Sequence, residues 1–484
     1  MSSLHEIELS EEQQFIFNKY SQGHNIFITG PGGSGKSLLI QKIYHDAKYN
    51  NKDIHVTATT GCAAILLQCS AKTLHSWAGV GLAKENTDYM INKLLKNRFA
   101  KAIWKETDIL IIDEVSMLSQ KLFEMLNQIG KALRKNNRPF GGIQVIACGD
   151  FYQLPPVGDK DEPETMRFCF ESDQWNTVFP HEYQIELTQI FRQKDPVYTQ
   201  ILHQIREGKI KRRNNELLLQ YVGKDIPKEV VVTKLFPKRA QVDMINNTRM
   251  NELISESHSY ELERKTDIEM TKIEANIRGS FTEREIEIEF DYLSGNLLCE
   301  KKIQLKIGAQ VMSIINIKTE NGCLSICNGS QGIITQFIGH EKIPVVKFNN
   351  GLEIPMPRYI WTSDKIPGIG VSQIPLILAW ALTIHKSQGS TLDNAEIDAG
   401  SGIFECGQTY VALSRVKSLE GLYLTSFDAS RIRIHKKVRE YYENLRKIRK
   451  GMMEEKEEEP PVVFAEVLPE GEGMDLVEVE ATAY

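Results

Sequence analysis

The chain has 484 residues, 41% hydrophobic and 25% charged, with a net charge of −6. These are ordinary globular proportions, and the length exceeds what one core organises, so about two to four domains are expected. No apolar run reaches the ~20 residues a bilayer-spanning helix needs, and the acidic N-terminus reads as neither secretory signal nor transit peptide. The 8 cysteines lack zinc-ribbon spacing, which predicts free thiols in a reducing intracellular compartment, nucleus or cytoplasm.

In chain order, Leu9-Ser10-Glu11-Glu12-Gln13-Gln14 precedes an apolar-periodic run, Phe15, Ile16 and Tyr20. Ser10 reads as an N-cap with Gln13 as its capping-box partner. A glutamine amide, which donates and accepts, equally suits reading an adenine edge. Ile26-Phe27-Ile28 then leads into Gly30-Pro31-Gly32-Gly33-Ser34-Gly35-Lys36-Ser37, which opens an amphipathic segment from Leu38. Strand, glycine-rich loop and helix in that order are the context of a phosphate-binding loop. Gly30, Gly32, Gly33 and Gly35, with Ser34, let backbone N–H groups curl around phosphates, and the helix N-terminus adds positive potential. Lys36 suits the β- and γ-phosphates of ATP, and Ser37 suits Mg²⁺.

The segment His55-Val56-Thr57-Ala58-Thr59-Thr60-Gly61-Cys62 reads as a strand passing into a turn, and Thr73-Leu74-His75-Ser76-Trp77 follows. Thr60, His75 and Trp77 are either caps and core or contacts to the phosphates and bases of a single strand. Residues 93–105 are basic, contain Phe99 and Trp104, and read as a small helical insertion. Asp108-Ile109-Leu110-Ile111-Ile112-Asp113-Glu114 is a buried parallel strand with two carboxylates at its C-terminal end, where open α/β sheets bind ligands. Asp113 suits Mg²⁺ through water, and Glu114 suits orienting or deprotonating an attacking water. A helix over 118–133 and a strand over 143–148 lead to Gly149-Asp150-Phe151-Tyr152-Gln153, which puts Gln153 beside the γ-phosphate of a RecA-like sheet. Arg192, in Leu187-Thr188-Gln189-Ile190-Phe191-Arg192-Gln193, is a surface charge or an arginine finger.

Residues 255–302 are charged and read as peripheral helices and loops. From 308 to 375 short β-rich runs alternate with turns at Asn328-Gly329 and Asn349-Asn350-Gly351, which predicts a small inserted β-barrel. A buried strand over 374–384 runs into His385-Lys386-Ser387-Gln388-Gly389, and Arg415 follows an apolar helix. A basic helix over 431–450 precedes 451–484, where one Lys faces 11 Asp plus Glu. That segment, at −10, is expected to be disordered and leaves the preceding 450 residues at +4.

Taken together, LSEEQ, GPGGSGKS, TATTGCAA, TLHSWAG, IIDEVSML, LFEMLNQIGKALRKNNRPFGGIQ, GDFYQLPPV, LTQIFRQ, GAQVM, NGSQG, ALTIHKSQGSTL and YVALSR resemble, in order, the superfamily 1 DNA helicases of the petite integration frequency (Pif) family, relatives of RecD. The resemblance spans 9–442 and implies an α/β fold of two RecA-like P-loop domains with ATP between them. It implies a first domain over 1–180 with a helical wedge at about 79–104, and a second over 181–307 and 375–450. The barrel over 308–374 would be of Src-homology-3 type. The implied activity is ATP-driven 5′-to-3′ translocation on single-stranded DNA that unwinds forked or structured DNA in replication, repair, recombination or telomere maintenance.

Carried over by position, Gln13 reads adenine, and Lys36, Ser37, Asp113, Glu114, Gln153, Arg192 and Arg415 serve ATP, with both arginines supplied by the second domain. Thr60, His75, Trp77, His385 and Lys386 fall in DNA-facing motifs. The acidic segment has no counterpart in the family pattern and is a candidate site for a protein partner. A monomer in solution is expected. A DNA-binding NTPase switch and an RNA helicase of the same superfamily are the competing readings.

Overall fold

The computed structural model describes residues 9–458, apart from short stretches at 61–62, 65–66, 68, 70, 82, 84, 194, 228–229, 267, 272–273, 276–277, 298, 316, 319–323, 327–329 and 364–365, and the side chains of 296, 318, 324–325 and 452–458. Gly61, Cys62, the Asn328-Gly329 turn and 459–484 lie outside the described residues, whereas 451–458 of the acidic segment expected to be disordered continue the C-terminal helix, which corrects the expectation there.

Six short apolar strands build the first sheet: β1 (Ile26–Thr29), β2 (Ile54–Ala58), β3 (Lys72–Thr73), β4 (Ile109–Asp113), β5 (Gln144–Cys148) and β6 (Gln184–Glu186). All pair in parallel, in the order β3-β2-β4-β5-β1-β6. Strand alternation sorts their side chains onto two covered faces, as a parallel sheet requires. Ile26, Ile28, Ile109, Ile111 and Ile146 pack with Ile16, Leu39, Ile40 and Ile43 of the helices Glu11–Ser21 and Lys36–Tyr49. Phe27, Leu110, Ile112 and Val145 pack on the other face with Leu122, Met125, Leu126 and Ile129 of the helix Gln120–Arg134.

β6 adds to the edge beside β1, so the first unit continues past residue 180. A second parallel sheet has the order Ala381–Thr383, Thr233–Phe236, Ala395–Ala399, Leu422–Phe427. The helix Pro196–Arg206 supplies Tyr198, Ile201, Leu202 and Ile205 to this second core.

Between these lies antiparallel structure. Glu353–Pro355, Ile343–Phe348, Gln331–Ile338, Gln310–Ser313 and Leu376–Leu378 form one five-stranded sheet in that order. The expected single strand over 374–384 is therefore two, Leu376–Leu378 here and Ala381–Thr383 in the second parallel sheet. Residues 255–302 are not only helix and loop. His258–Glu261 pairs with Lys302–Leu305, and Glu263–Lys265 pairs with Gly370–Gln373. Tyr260 and Ile303 anchor these charged strands to the core of the five-stranded sheet.

The C-terminal helix, Lys436–Glu458, corrects a second boundary. Val438, Tyr442 and Leu445 share one helical face and are buried in the first unit's core with Phe27, Phe151 and Trp175. Residues 436–450 therefore belong to the first unit rather than the second. Among the described residues no helix is long and apolar enough to cross a membrane. The described cysteines, Cys69, Cys148, Cys169, Cys299 and Cys406, are free thiols.

Two helices, Thr87–Lys96 and Arg98–Glu106, occupy the expected insertion. Their Met90, Leu94 and Ala100 close over Trp77 and Trp104, whose ring centroids are 4.4 Å apart. Trp77 is 1% exposed, so the base-contacting role expected of it is corrected: its indole faces core, not a groove. Trp77→Ala is expected to destabilise the first unit by about 3–5 kcal/mol, the loss typical of truncating a buried aromatic. Urea unfolding measures it. An unchanged midpoint, with single-strand affinity weakened instead by about 1–3 kcal/mol as for a lost base stack, would restore the base-contact role.

Candidate nucleotide cleft

The phosphate loop leaves β1 through Gly30 at φ 143°, with Gly33 at 87° and Gly35 at 82°. A Cβ on Gly33 would lie 2.4 Å from the Arg192 Cβ, and one on Gly35 would lie 2.4 Å from the Gln13 amide nitrogen. Glycine is required there by both conformation and space. Lys36 begins the following helix, and its Nζ donates to the Gly30 carbonyl (2.7 Å), the Pro31 carbonyl (2.9 Å) and Ser34 Oγ (3.3 Å). Burial lowers the ammonium pKa, opposed by the nearby acidic groups Asp150, Cys148, Glu114 and Asp113. Ser37 lines the same cleft beside Lys36.

β4 delivers Asp113 and Glu114 to this edge. Glu114 adopts the left-handed region at φ 51°, uncommon for a residue with a side chain. Burial first, then the neighbouring Glu114 charge, pushes the Asp113 carboxyl up to about 7. Gln153 follows β5, and Gln388 reaches across from the second unit. Gln388 Nε2 donates to Glu114 Oε2 at 3.0 Å and lies 3.4 Å from Gln153 Oε1.

Two guanidinium groups complete the cleft, from different units. Arg192 sits on the segment after β6, where the backbone N–H groups of Phe191 and Arg192 donate to the Gly33 carbonyl (2.8 and 3.3 Å). Arg192 is thus tied to the phosphate loop by its own backbone, which corrects the expectation that the second domain supplies it. Its Nη1 donates to the Ser414 carbonyl at 3.3 Å. Arg415 does come from the second unit, held by the Val411 carbonyl (2.8 Å), the Ser390 carbonyl (3.3 Å) and Ser414 Oγ (2.8 Å). Burial, then the Arg192 charge, lowers its pKa to about 10. The Gly32 N–H donates across the cleft to the Tyr410 hydroxyl at 2.9 Å. Gly32, Gly33, Gly35, Lys36, Ser37, Asp113, Glu114, Gln153, Arg192 and Arg415 line one pocket.

Gln13 takes the expected capping position and also reaches the phosphate loop. It forms the capping box with Ser10, and its Nε2 lies 3.5 Å from the Ser34 carbonyl, against the phosphate loop. The remaining residues singled out as DNA-facing lie outside this pocket. Thr60 Oγ1 accepts from the Ala63 N–H at 3.2 Å and caps the turn after β2. His75 is half-buried at a groove it shares with Lys121, Val157 and Asp159. On the second unit, His385 stacks on the exposed Phe404 with centroids 6.2 Å apart, and Lys386 is exposed. Burial lowers the imidazole pKa of both histidines. Trp77 belongs to the core, as described above. Sequence reasoning passed over Gln388 and Tyr410. Both stand within quoted motifs, but only the closed cleft brings them to Glu114 and Gly32.

Known proteins share this arrangement. A family model described as PIF1-like helicase matches residues 8–216, and one described as DNA helicase Pif1, 2B domain, matches 290–337. The chain is 35% identical over 485 residues to ATP-dependent DNA helicase PIF1 of Emericella nidulans, covering 88% of this chain and 61% of that protein. It therefore spans about three-fifths of that relative's length. The crystal structure of Pif1 helicase from Candida albicans matches with a TM-score of 0.71 and 35% identity, over 91% of this chain and 100% of that one. Pif1 helicase from Bacteroides in complex with ADP-AlF3 and ssDNA matches with a TM-score of 0.60 and 28% identity, over 91% and 98% of the two chains. With two parallel sheets facing one phosphate-loop cleft, and a solved relative matched along its whole length, the chain belongs to the PIF1-like helicase family.

Proposed function

We propose that this chain is an ATP-dependent DNA helicase that translocates 5′ to 3′ on single-stranded DNA and unwinds forked or structured duplexes. The observation that carries the reading is the cleft itself. Arg415 and Gln388 from the second unit converge with Lys36, Glu114, Gln153 and Arg192 of the first. ATP would lie with its phosphates in the curl of Gly30 to Lys36, and Gln13 would face its base. Lys36 would meet the β- and γ-phosphates, and Arg192 and Arg415 would meet the charge that develops on the transferred group. Glu114, held by Gln388, would orient the attacking water.

Ser37 and Asp113 would hold Mg²⁺, which neutralises phosphate charge when bound. The fit is electrostatic: Asp113 and Glu114 crowd two carboxyl groups into a dry corner, and a divalent cation relieves that repulsion.

Because the second unit supplies Arg415 and Gln388, nucleotide binding favours a closed cleft and hydrolysis releases it. Thr60 and His75 on one unit, and His385 and Lys386 on the other, would grip the strand alternately as the cleft cycles. The helical pair Thr87–Lys96 and Arg98–Glu106 would act as the wedge. The antiparallel unit would be the small barrel of Src-homology-3 type.

Strand displacement on forked DNA with 5′ or 3′ tails, beside matched RNA, tests the reading. ATP-dependent displacement is expected from 5′-tailed DNA only; displacement of RNA alone, or none from any substrate, would overturn it. Lys36→Ala is expected to abolish ATP turnover and unwinding while nucleotide-free single-strand binding persists, and unwinding at the parent rate would refute the phosphate-loop assignment. Arg192→Ala is expected to lower turnover by roughly 10³- to 10⁵-fold with a far smaller change in ATP affinity. Turnover within a few-fold of the parent would return Arg192 to a surface charge.

A further inference from the structure

The C-terminal helix brings one hydroxyl to the two strand ends that carry the cleft. Tyr442 is 0% exposed. Its hydroxyl bonds Thr29 Oγ1, accepts from the Phe151 N–H at 3.2 Å and donates to Asp150 Oδ1 at 3.4 Å. Thr29 is the last residue of β1, directly before Gly30. Asp150 and Phe151 follow β5, and the Asp150 carbonyl accepts from the Gln153 N–H at 2.9 Å. One hydroxyl therefore ties the root of the phosphate loop to the turn that presents Gln153.

The same point receives the second unit. Arg206 ends the helix Pro196–Arg206, whose apolar face is in the second core. Its guanidinium, 1% exposed, clasps Asp150 through Nε–Oδ2 (2.9 Å) and Nη2–Oδ1 (3.0 Å) and reaches Glu186 Oε1 at 3.2 Å. It lies 4.5 Å from the ring centroid of Tyr152, which itself stacks on Tyr442 with centroids 4.5 Å apart. One turn along from Tyr442, Arg446 binds Glu186 (3.0 Å) and Glu207 (2.8 Å). A buried ion pair gains little net stability because both charges lose water, but it holds a tight geometry. Movement of the second unit reaches Asp150 through Arg206, and Tyr442 passes it to β1.

We propose that Tyr442 is a positioning residue for ATP turnover: it keeps the phosphate loop and Gln153 in register while the second unit pivots on Arg206. The proposal rests on the nucleotide reading above. Catalytic groups must be held to within about 0.5 Å in the closed state, and a loose register forfeits affinity for the transition state rather than for the product.

Tyr441 provides the comparison. It is buried on the same helix, but its hydroxyl donates to Gln184 Oε1 (2.7 Å) and accepts from Trp175 Nε1 (3.3 Å), away from the loop. Tyr442→Phe, Thr29→Val and Tyr441→Phe are compared in the full chain. The readouts are single-strand-stimulated ATP turnover and equilibrium affinities for ADP and ADP–aluminium fluoride. Tyr442→Phe is expected to lower turnover and ADP–aluminium fluoride affinity together by at least about tenfold, the weight of a single one of the three buried hydrogen bonds that the hydroxyl makes. ADP affinity stays at the parent value. Thr29→Val, which removes the partner hydroxyl, reproduces this pattern and supplies the test should Tyr442→Phe fail to fold. Tyr441→Phe keeps the parent ratio of the two affinities even where its unfolding midpoint falls. An unchanged ratio in Tyr442→Phe or in Thr29→Val, or an equal loss in Tyr441→Phe, overturns the inference. A parent protein that neither turns over ATP nor binds ADP–aluminium fluoride overturns the nucleotide reading and this inference with it.

Discussion

An ammonium group must wait in a partly dry cleft for a phosphate, and much of the first unit is shaped by that demand. Lys36 is held by oxygens of its own loop, the carbonyls of Gly30 and Pro31 and the hydroxyl of Ser34. Those oxygens turn inward only because the loop runs through left-handed glycines. The resulting tight curl leaves no room around it. Leu187, Arg192 and Gln13 all approach the loop glycines to within what would be a Cβ clash. The first helix, the strand edge after β6 and the segment that bears Arg192 are therefore all shaped to the loop.

The cleft's charges are unbalanced in a way that anticipates a polyanion. Arg415 is depressed to about 10 by burial and by Arg192, so two guanidinium groups are held near each other against their mutual repulsion. Opposite them, Asp113 rises to about 7 beside Glu114. No ion pair joins the two clusters among the described residues: Glu114 attracts both arginines at a distance, while the backbone carbonyls of Ser414, Val411 and Ser390 hold them in place. Such an arrangement suits a phosphate chain, whose charge the arginines would meet.

What the sequence made legible was local. The phosphate loop and the strand ending in Asp113-Glu114 have fixed spacing from strand end to side chain, so their placement needs no tertiary information. The capping box of Gln13 was legible too, since it needs only Ser10 three residues before it. Trp77 was not, because an indole on a short helix reads the same whether a base or Trp104 covers it. The strand His258–Glu261 carries one buried aromatic, Tyr260, and Glu263–Lys265 is charged throughout, so neither shows a period to see. The C-terminal helix announces an apolar face through Val438, Tyr442 and Leu445, but nothing in its period says which core receives it. Gln388 and Tyr410 matter only through partners hundreds of residues away, and such contacts leave no local mark.

That returning helix also decides how the units can move. The chain leaves the first unit after β6, builds the second, and re-enters the first core at Lys436–Glu458. Two crossings tie the units together, and Arg206, Arg446, Glu186 and Glu207 gather beside both. Two bodies joined along one edge rotate about it rather than separate. Arg415 and Gln388 stand on the second unit and meet the phosphate loop and Glu114 across the cleft. Gly407 marks how closely the second unit seats there: a Cβ on it would lie 2.4 Å from the Gln153 carbonyl oxygen. Any side chain at position 407 would therefore push the second unit off that turn. The turn that Arg206 clasps through Asp150 and Tyr152 is thus also the one on which Gly407 sits, so one short segment of the first unit receives the second at both points.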